Sequence, residues 1–136
     1  MNTIHALRQS APSVTQEISS PSVSVFWLDP NQIHNRLKTA VQRLAQTHPE
    51  IEEVWLFGSL ARGDATPGSD ADLMVVLSDT RLAFLDRFAH YQPEFCGIGV
   101  DVLAYTLAEL AQMRAEGSVF LRQVRAVGVC LFRRVN

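Results

Sequence analysis

Two aspartates one residue apart are the part of this sequence best suited to chemistry. Asp70 and Asp72 stand at the start of an apolar run, the pattern of a strand that begins with its acids. Residues two apart in a strand point to the same face, about 6.6 Å apart at a rise of about 3.3 Å per residue. Two carboxylates about 4 Å apart repel each other by roughly 4 kcal/mol at an effective dielectric near 20. Arg62 is the only basic residue in the segment 55–79, so a divalent metal is the better counter-charge.

A glycine and a serine precede these acids, at the end of another apolar run. Gly58 permits tight backbone geometry and the close approach of a ligand, and Ser59 adds a hydroxyl beside backbone N–H groups. Ser59 can also open a short helix that ends at Gly63, and a helix N-terminus favours phosphate. Arg62 is well suited to a phosphate oxygen. The sequence has no Gly-Lys-Ser/Thr element, so a nucleotide here would be held by its metals and the Gly-Ser turn.

A third acid lies within a later strand pattern. Asp101 is flanked by two valines in a segment, residues 98–105, that alternates as a strand does. Taken alone, it is typical of an acid on an edge strand that faces water. If its strand lies beside the one that carries the acid pair, Asp101 completes a site of three carboxylates.

Together these residues resemble the signature of the DNA polymerase beta-like nucleotidyltransferase superfamily. That signature is Gly-Ser, a loop, Asp-x-Asp, and a third acid on a later strand, and it is carried here by Gly58, Ser59, Asp70 and Asp72. The resemblance implies an α+β polymerase-beta-like fold, with a small mixed sheet and helices packed mainly on one face. It is specific over residues 55–77, looser up to residue 132, and absent from the first thirty residues.

The segments 61–63 and 69–73 are similar to the minimal nucleotidyltransferase (MNT) branch of this superfamily. Proteins of that branch are often partnered with HEPN-domain toxins. The resemblance implies transfer of AMP from ATP to a tyrosine hydroxyl of a HEPN toxin, which would make this chain an antitoxin.

The same resemblance implies roles for the site residues. Asp70, Asp72 and Asp101 would be both the catalytic and the metal-binding residues, holding two Mg²⁺ ions while ATP is the substrate. A second group would bind the nucleotide: Gly58, Ser59, Arg62 and Ser69.

Two other functions stay open from the sequence. One is adenylylation of a small molecule such as an aminoglycoside, with an oligomer building a pocket that the chain itself lacks. The other is a binding module that neutralises its partner by contact, without catalysis. Retention of all three acids argues against a loss of catalysis.

Composition limits the remaining classes of protein. The chain has 136 residues, of which 47% are hydrophobic, enough for one globular domain with a core. A formal net charge of −2 argues against broad nucleic-acid binding. Cys96 and Cys130 lack metal-ligand spacing and are interpreted as reduced, buried thiols. No apolar run approaches the length of a membrane span, and we expect a cytoplasmic protein.

Residues 1–28 are predicted to be a flexible N-terminal extension and residues 29–136 the nucleotidyltransferase domain. A short strand or docking segment around residues 23–27 is the alternative. The domain is predicted to contain a helix at 30–47 capped by Asp29, a helix from Ser78 or Asp79 through Phe88, a helix from a Thr106–Glu109 capping box to before Gly117, and a short helix capped by Ser118. Its strands are predicted at 51–57, 73–77, 98–105 and 129–132.

Overall fold

The computed structural model describes residues 15–19, 24–66 and 68–135. None of the described helices is long and apolar enough to cross a membrane. The elements, in chain order, are β1 Thr15–Ser19, β2 Ser24–Leu28, α1 Pro30–Thr47, β3 Ile51–Phe57, α2 Ser59–Arg62, β4 Ala71–Leu77, α3 Phe84–His90, β5 Val100–Thr106, α4 Leu107–Ala115, α5 Val119–Val127 and β6 Val129–Arg133.

A four-stranded mixed sheet with the strand order β5-β4-β3-β6 is the frame of the domain. The central strand β3 pairs antiparallel with both β4 and β6, whereas β4 and β5 run parallel. The segment that contains α3 makes the crossover that a parallel pair requires. Strands β1 and β2 form a separate antiparallel pair. This arrangement confirms the predicted α+β class.

Buried side chains alternate along the strands and form a core on each face of the sheet. The larger cluster packs α1 against one face, where Leu37 and Val41 meet Leu73 and Val75. The smaller cluster lies on the other face, where the sheet meets α4 and α5. Its buried members are Met74, Val76, Leu110, Leu121 and Val124. The helix-covered sheet therefore leaves only strand ends and connecting loops for a polar site.

Helix caps fall at the positions that the sequence predicts. The Asp29 side chain accepts the N–H of Asn31 at the start of α1. Thr106 and Glu109 form a reciprocal capping box at the start of α4. Ser118 accepts the N–H of Leu121 at the start of α5. These bonds satisfy N–H groups that have no partner within the helix.

The predicted start of α3 is wrong. The helix begins at Phe84, whereas Ser78 or Asp79 was expected to cap it. The N–H of Ser78 instead donates to the Glu50 carbonyl, so this residue still follows the sheet. The Thr80 hydroxyl then accepts the N–H of Leu82, which forms a turn before the helix.

The structure also bears on the predictions for the two cysteines and for the N-terminal extension. Cys96 is buried as expected, but Cys130 is exposed, because it lies on β6, which has only one neighbouring strand in the sheet. Strands β1 and β2 lie within the predicted extension, and β2 overlaps the segment proposed as a short strand. Residues 1–14 and 20–23 lie outside the described residues, so the division at residue 28 stays a prediction.

Candidate active site

Strand register brings two of the predicted acids side by side. In the parallel pair β4–β5, Asp72 is the partner of Asp101. Aligned residues on neighbouring strands point to the same side of the sheet. The strand adjacency that the three-carboxylate hypothesis required is therefore present. Asp70 lies two residues before Asp72. The next residue, Ala71, donates its N–H to the Gly99 carbonyl, just before β5.

The Gly-Ser turn lies on the β3 side of Asp72, whereas Asp101 lies on the β5 side. Phe57 pairs with Asp72 across β3 and β4, so Gly58 follows directly beside this carboxylate. Gly58 has φ +77°, and a Cβ atom built on it would lie 2.2 Å from Oδ2 of Asp72. A side chain at this position is therefore excluded both by backbone conformation and by the acid. Helix α2 begins at Ser59, as predicted.

The pKa values of Asp72 and Asp101 are both raised. Burial raises the pKa of Asp72 above its ordinary value, and the negative charges of Asp101 and Asp70 raise it further, against an opposing effect of Arg62. Burial also raises the pKa of Asp101, with a further contribution from Asp70. The three acids thus lie within electrostatic range of one another, and a positive charge between them would stabilise their ionised forms.

One carboxylate oxygen lacks a hydrogen-bond partner among the described residues. Oδ1 of Asp70 is buried and accepts no hydrogen bond from the described part of the chain. Buried polar atoms are nearly always satisfied, since an unmade hydrogen bond in the interior costs about 1–3 kcal/mol. A cation bound to Asp70 would satisfy this oxygen.

The side chains do not form a closed metal cage in their observed rotamers. Within residues 29–66 and 68–135, no three acidic, histidine or cysteine side chains are arranged to hold one ion. The backbone nevertheless places Asp70, Asp72 and Asp101 at one end of two neighbouring strands. Aspartate changes the direction of its carboxylate by rotation about χ1, and its hard oxygens are the donors that Mg²⁺ prefers. The donor set therefore fits a divalent ion.

The other predicted nucleotide-binding residues flank the acids. Arg62 is exposed, and its Nε lies 3.3 Å from Oδ2 of Asp64. Ser69 accepts the N–H of Thr66 at 2.9 Å through its hydroxyl, which shapes the loop that leads to Asp70. Asp64 is exposed and pairs with Arg62.

A cleft of about 330 Å³ opens on the β5 side of the acids. Asp70 and Asp101 line one part of it, and α3 with the segment after it supplies the rest. No lysine, arginine or histidine of the described chain lines the cleft, whose walls include Phe88, Gln92, Phe95 and Ile98.

Arg87 positions this region and was missed by the sequence interpretation. Its side chain is buried, donating to the Ala104 carbonyl on β5 and to both carboxylate oxygens of Glu109, at 2.7 and 3.1 Å. The pKa of Glu109 is lowered, first by this hydrogen-bonded pairing. The arginine thereby fixes α3 against the strand that carries Asp101. No periodic pattern marks a buried charge, although the Glu109 capping box located one of its partners.

Comparison with known proteins identifies the sequence family. The family described as the nucleotidyltransferase domain matches residues 35–123. No curated protein matches the chain. The matched segment contains the Gly-Ser turn and all three aspartates.

Solved structures resemble the fold. A Sulfolobus solfataricus protein named as a candidate nucleotidyltransferase is 24% identical, with a TM-score of 0.54 over 77% of this chain and 84% of its own. A toxin–antitoxin complex with AMP-PNP contains a chain that is 21% identical, with a TM-score of 0.51 over 71% and 73% of the two chains. A further match, 18% identical with a TM-score of 0.45 over 78% and 74%, is to a complex of a tri-AMPylated Shewanella oneidensis HEPN toxin with MNT antitoxin.

Proposed function

The chain belongs to the nucleotidyltransferase domain family, and from this premise we propose that it moves AMP from ATP to a hydroxyl of a partner protein. The observation that carries the proposal is the pairing of Asp72 with Asp101, with Gly58 on the other side of Asp72. Acids beside a glycine turn offer what transfer to a hydroxyl requires, which is positioning and charge stabilisation around phosphorus.

Asp70, Asp72 and Asp101 are the residues that would hold divalent ions. Mg²⁺ is the ion that fits their oxygen donors. When bound, two such ions supply electrophilic activation of the α-phosphate and neutralise charge on the triphosphate. The unpartnered Oδ1 of Asp70 and the raised pKa values of the other two acids support this assignment, because a cation relieves both.

The triphosphate would lie on the β3 side of the acids. Gly58 lets the turn lie directly against the Asp72 carboxylate, and the first N–H groups of α2 have no partners within that short helix. These groups and the Ser59 hydroxyl would donate to phosphate oxygens. Arg62 is exposed and would add positive charge to the same groups. Ser69 would act through its own loop, which orients Asp70.

Asp101 would act on the acceptor. Its carboxylate is exposed and lines the cleft on the β5 side, which places a proton acceptor there. In the proposed step the acceptor hydroxyl gives its proton to the Asp101 carboxylate, and the acceptor oxygen bonds to the α-phosphorus. The bond from the α-phosphorus to the bridging oxygen breaks, and pyrophosphate leaves with those electrons.

The partner we propose is a HEPN-domain toxin modified on tyrosine, in the cytoplasm, with this chain as the antitoxin. The resemblance of residues 61–63 and 69–73 to the minimal nucleotidyltransferase branch supports this partner. A complex of toxin and antitoxin with AMP-PNP contains a chain of the same fold, which is compatible with it.

The test is the intact mass of a HEPN protein encoded beside this gene, co-expressed with wild type and with Asp70→Asn. Asp79→Asn is the matched control, because Asp79 is an exposed aspartate that follows β4. We expect added AMP units with wild type and the control, and none with Asp70→Asn. Neutralisation of the toxin without a mass change would indicate a binding module instead. AMP transfer to kanamycin but not to the protein would indicate a small-molecule adenylyltransferase.

A further inference from the structure

The two edges of the sheet differ in what their backbone groups contact. On β5, the Val100 carbonyl accepts the side-chain amide of Gln92, and the Ala104 carbonyl accepts the guanidinium of Arg87. Side chains of α3 and of the segment after it therefore satisfy carbonyls along that edge. At the opposite edge, β6 pairs with β3 alone among the described strands. A row of unpaired edge groups is a template for a further strand.

The backbone of β6 faces a groove beside α1. The N–H of Arg134 donates to the Glu52 carbonyl, so alternation along the strand turns the N–H and C=O of Arg133 away from β3. A groove of about 540 Å³ lies there, lined by the consecutive residues 130–134 and by one face of α1. Neighbouring residues of a strand point to opposite faces, so a groove that all five line runs along the backbone edge. Five extended residues span about 17 Å at about 3.4 Å each.

Positive charge surrounds this groove. Lys38, Arg133 and Arg134 line it, whereas no aspartate or glutamate of the described chain does. Arg133 lies 3.6 Å from Glu53, which offsets part of its charge. Arg134 donates to three backbone carbonyls, and no described carboxylate forms an ion pair with it or with Lys38. The groove therefore favours an occupant with negative charge.

The sequence of the bounding elements accounts for this charge. Helix α1, residues 30–47, contains no acid, and the segment 117–136 contains four arginines and no acid. The net charge of the whole chain is −2, so its positive charge is concentrated locally on these elements. The charge of the groove is thus a local property of α1 and β6.

Charge and backbone together discriminate between occupants. Pairing β6 with the β6 of a second copy would bring three positive side chains from each copy to one seam, and like charges opposite each other on paired strands are destabilising. A nucleic-acid strand would match the charge, but it lacks the alternating N–H and C=O groups that continue a sheet. An extended peptide with acidic side chains matches both the edge and the charge.

We propose that the β6 edge binds an extended acidic segment of a partner protein, which adds to the sheet as a further strand. Its carboxylates would face Lys38, Arg133 and Arg134. Three strand spacings of about 4.8 Å separate β6 from β5, so the segment would bind about 14 Å from the strand of Asp101. The surface is therefore separate from the candidate active site, and its binding does not depend on AMP transfer.

Fluorescence anisotropy with labelled hexapeptides tests the surface on the full chain without nucleotide. The probe alternates glutamate and valine. One matched probe alternates lysine and valine, and another is the glutamate probe with an N-methyl group at every peptide bond. We expect the glutamate probe to bind and both matched probes to bind at least about tenfold more weakly, because the first reverses the charge and the second removes the backbone donors. Exchange of the Arg133 amide should slow when the glutamate probe binds.

One charge reversal and its control locate the binding. Lys38→Glu should weaken binding of the glutamate probe about tenfold, because Lys38 lines the groove and is exposed. Arg122→Glu is the matched control, since Arg122 is also exposed but lies on α5 and does not line the groove. Its affinity for the probe should stay within about twofold of wild type.

Four outcomes would overturn the proposal. Equal binding of the N-methylated probe, or unchanged exchange of the Arg133 amide, would show that charge alone holds the peptide. Equal weakening by Arg122→Glu and Lys38→Glu would assign binding to the basic C-terminal segment as a whole. Tighter binding of single-stranded oligothymidylate than of the glutamate probe would assign the groove to nucleic acid. A dimer that the probe does not dissociate, with β6 amides protected, would assign the edge to a second copy.

Discussion

Replacing Asp72 by asparagine should stabilise the fold while it abolishes AMP transfer. Asp72 and Asp101 are aligned on neighbouring strands. At a separation of about 5 Å, set by the strand spacing, two unit charges repel by roughly 3 kcal/mol at an effective dielectric near 20. Because Asp101 is exposed, solvent screening reduces this repulsion to about 1 kcal/mol. Asp72→Asn removes the repulsion with little change in shape.

The assay is urea unfolding of wild type and Asp72→Asn at neutral pH in the presence of EDTA. We expect a higher midpoint for the variant at an unchanged m value, equivalent to a gain of about 1 kcal/mol. Asp79→Asn removes the same charge from an exposed position and should change stability by less than about 0.5 kcal/mol. Equal gains in the two variants would assign the effect to net charge. A destabilised Asp72→Asn would refute the account of the carboxylates.

The gain should also depend on pH in a fixed direction. The pKa of Asp72 in the folded protein is raised above its ordinary value of 3.8, first by burial and then by Asp101 and Asp70. Between these two pKa values the folded state binds more protons than the unfolded state, so wild-type stability falls as pH rises. The loss of stability caused by the ionised Asp72 is complete above its raised pKa. The advantage of Asp72→Asn should therefore shrink as pH falls from neutral towards 3.8, and a constant advantage would contradict this cause.

Three further substitutions test other parts of the site. Gly58→Ala should abolish transfer and destabilise the fold by more than Gly63→Ala, because both glycines have positive φ but only Gly58 faces Asp72 at 2.2 Å from the added Cβ; equal unfolding midpoints would contradict this. Asp101→Asn should reduce transfer far more than MgATP affinity, and equal loss of both would contradict its role on the acceptor side. Arg87→Met should cost about 2–3 kcal/mol in urea unfolding, because it removes the donor to the buried Ala104 carbonyl and the ion pair with Glu109; a loss under about 1 kcal/mol would show that these bonds contribute little.

Local pattern was enough to predict most of the frame. The apolar run before Gly58 and the acid-tipped run before Ser78 are strands because their buried residues alternate or run together as strand residues do. Caps at Asp29 and Thr106 depend on neighbouring residues alone, so the sequence located them correctly. The pairing of β4 with β5 was not a local property. It was a condition of the three-acid hypothesis, and the structure supplied it.

What the sequence did not predict depends on distant contacts. The segment before α3 continues from the sheet, since the Ser78 N–H bonds to Glu50 far back in the chain, and the helix begins only after a turn at Thr80. Arg87 is only 6% exposed because it bonds to Ala104 and Glu109. These partners lie 17 and 22 positions later in the chain. No window of local sequence contains such pairs. The cleft on the β5 side of the acids belongs to this class, since Asp70 and residues from α3, β5 and the segment between them form it.

The core of the domain therefore fixes the geometry of the candidate site through strand register. Val102 and Ala104 are buried on the face that packs against α1, and this burial fixes which way β5 is turned. A slip of one residue would place Asp101 on that apolar face and remove it from Asp72. The same burial thus sets both the stability of the sheet and the meeting of two acids on its other side. The two carboxylates repel each other, so the buried apolar residues of β5 are what hold them side by side.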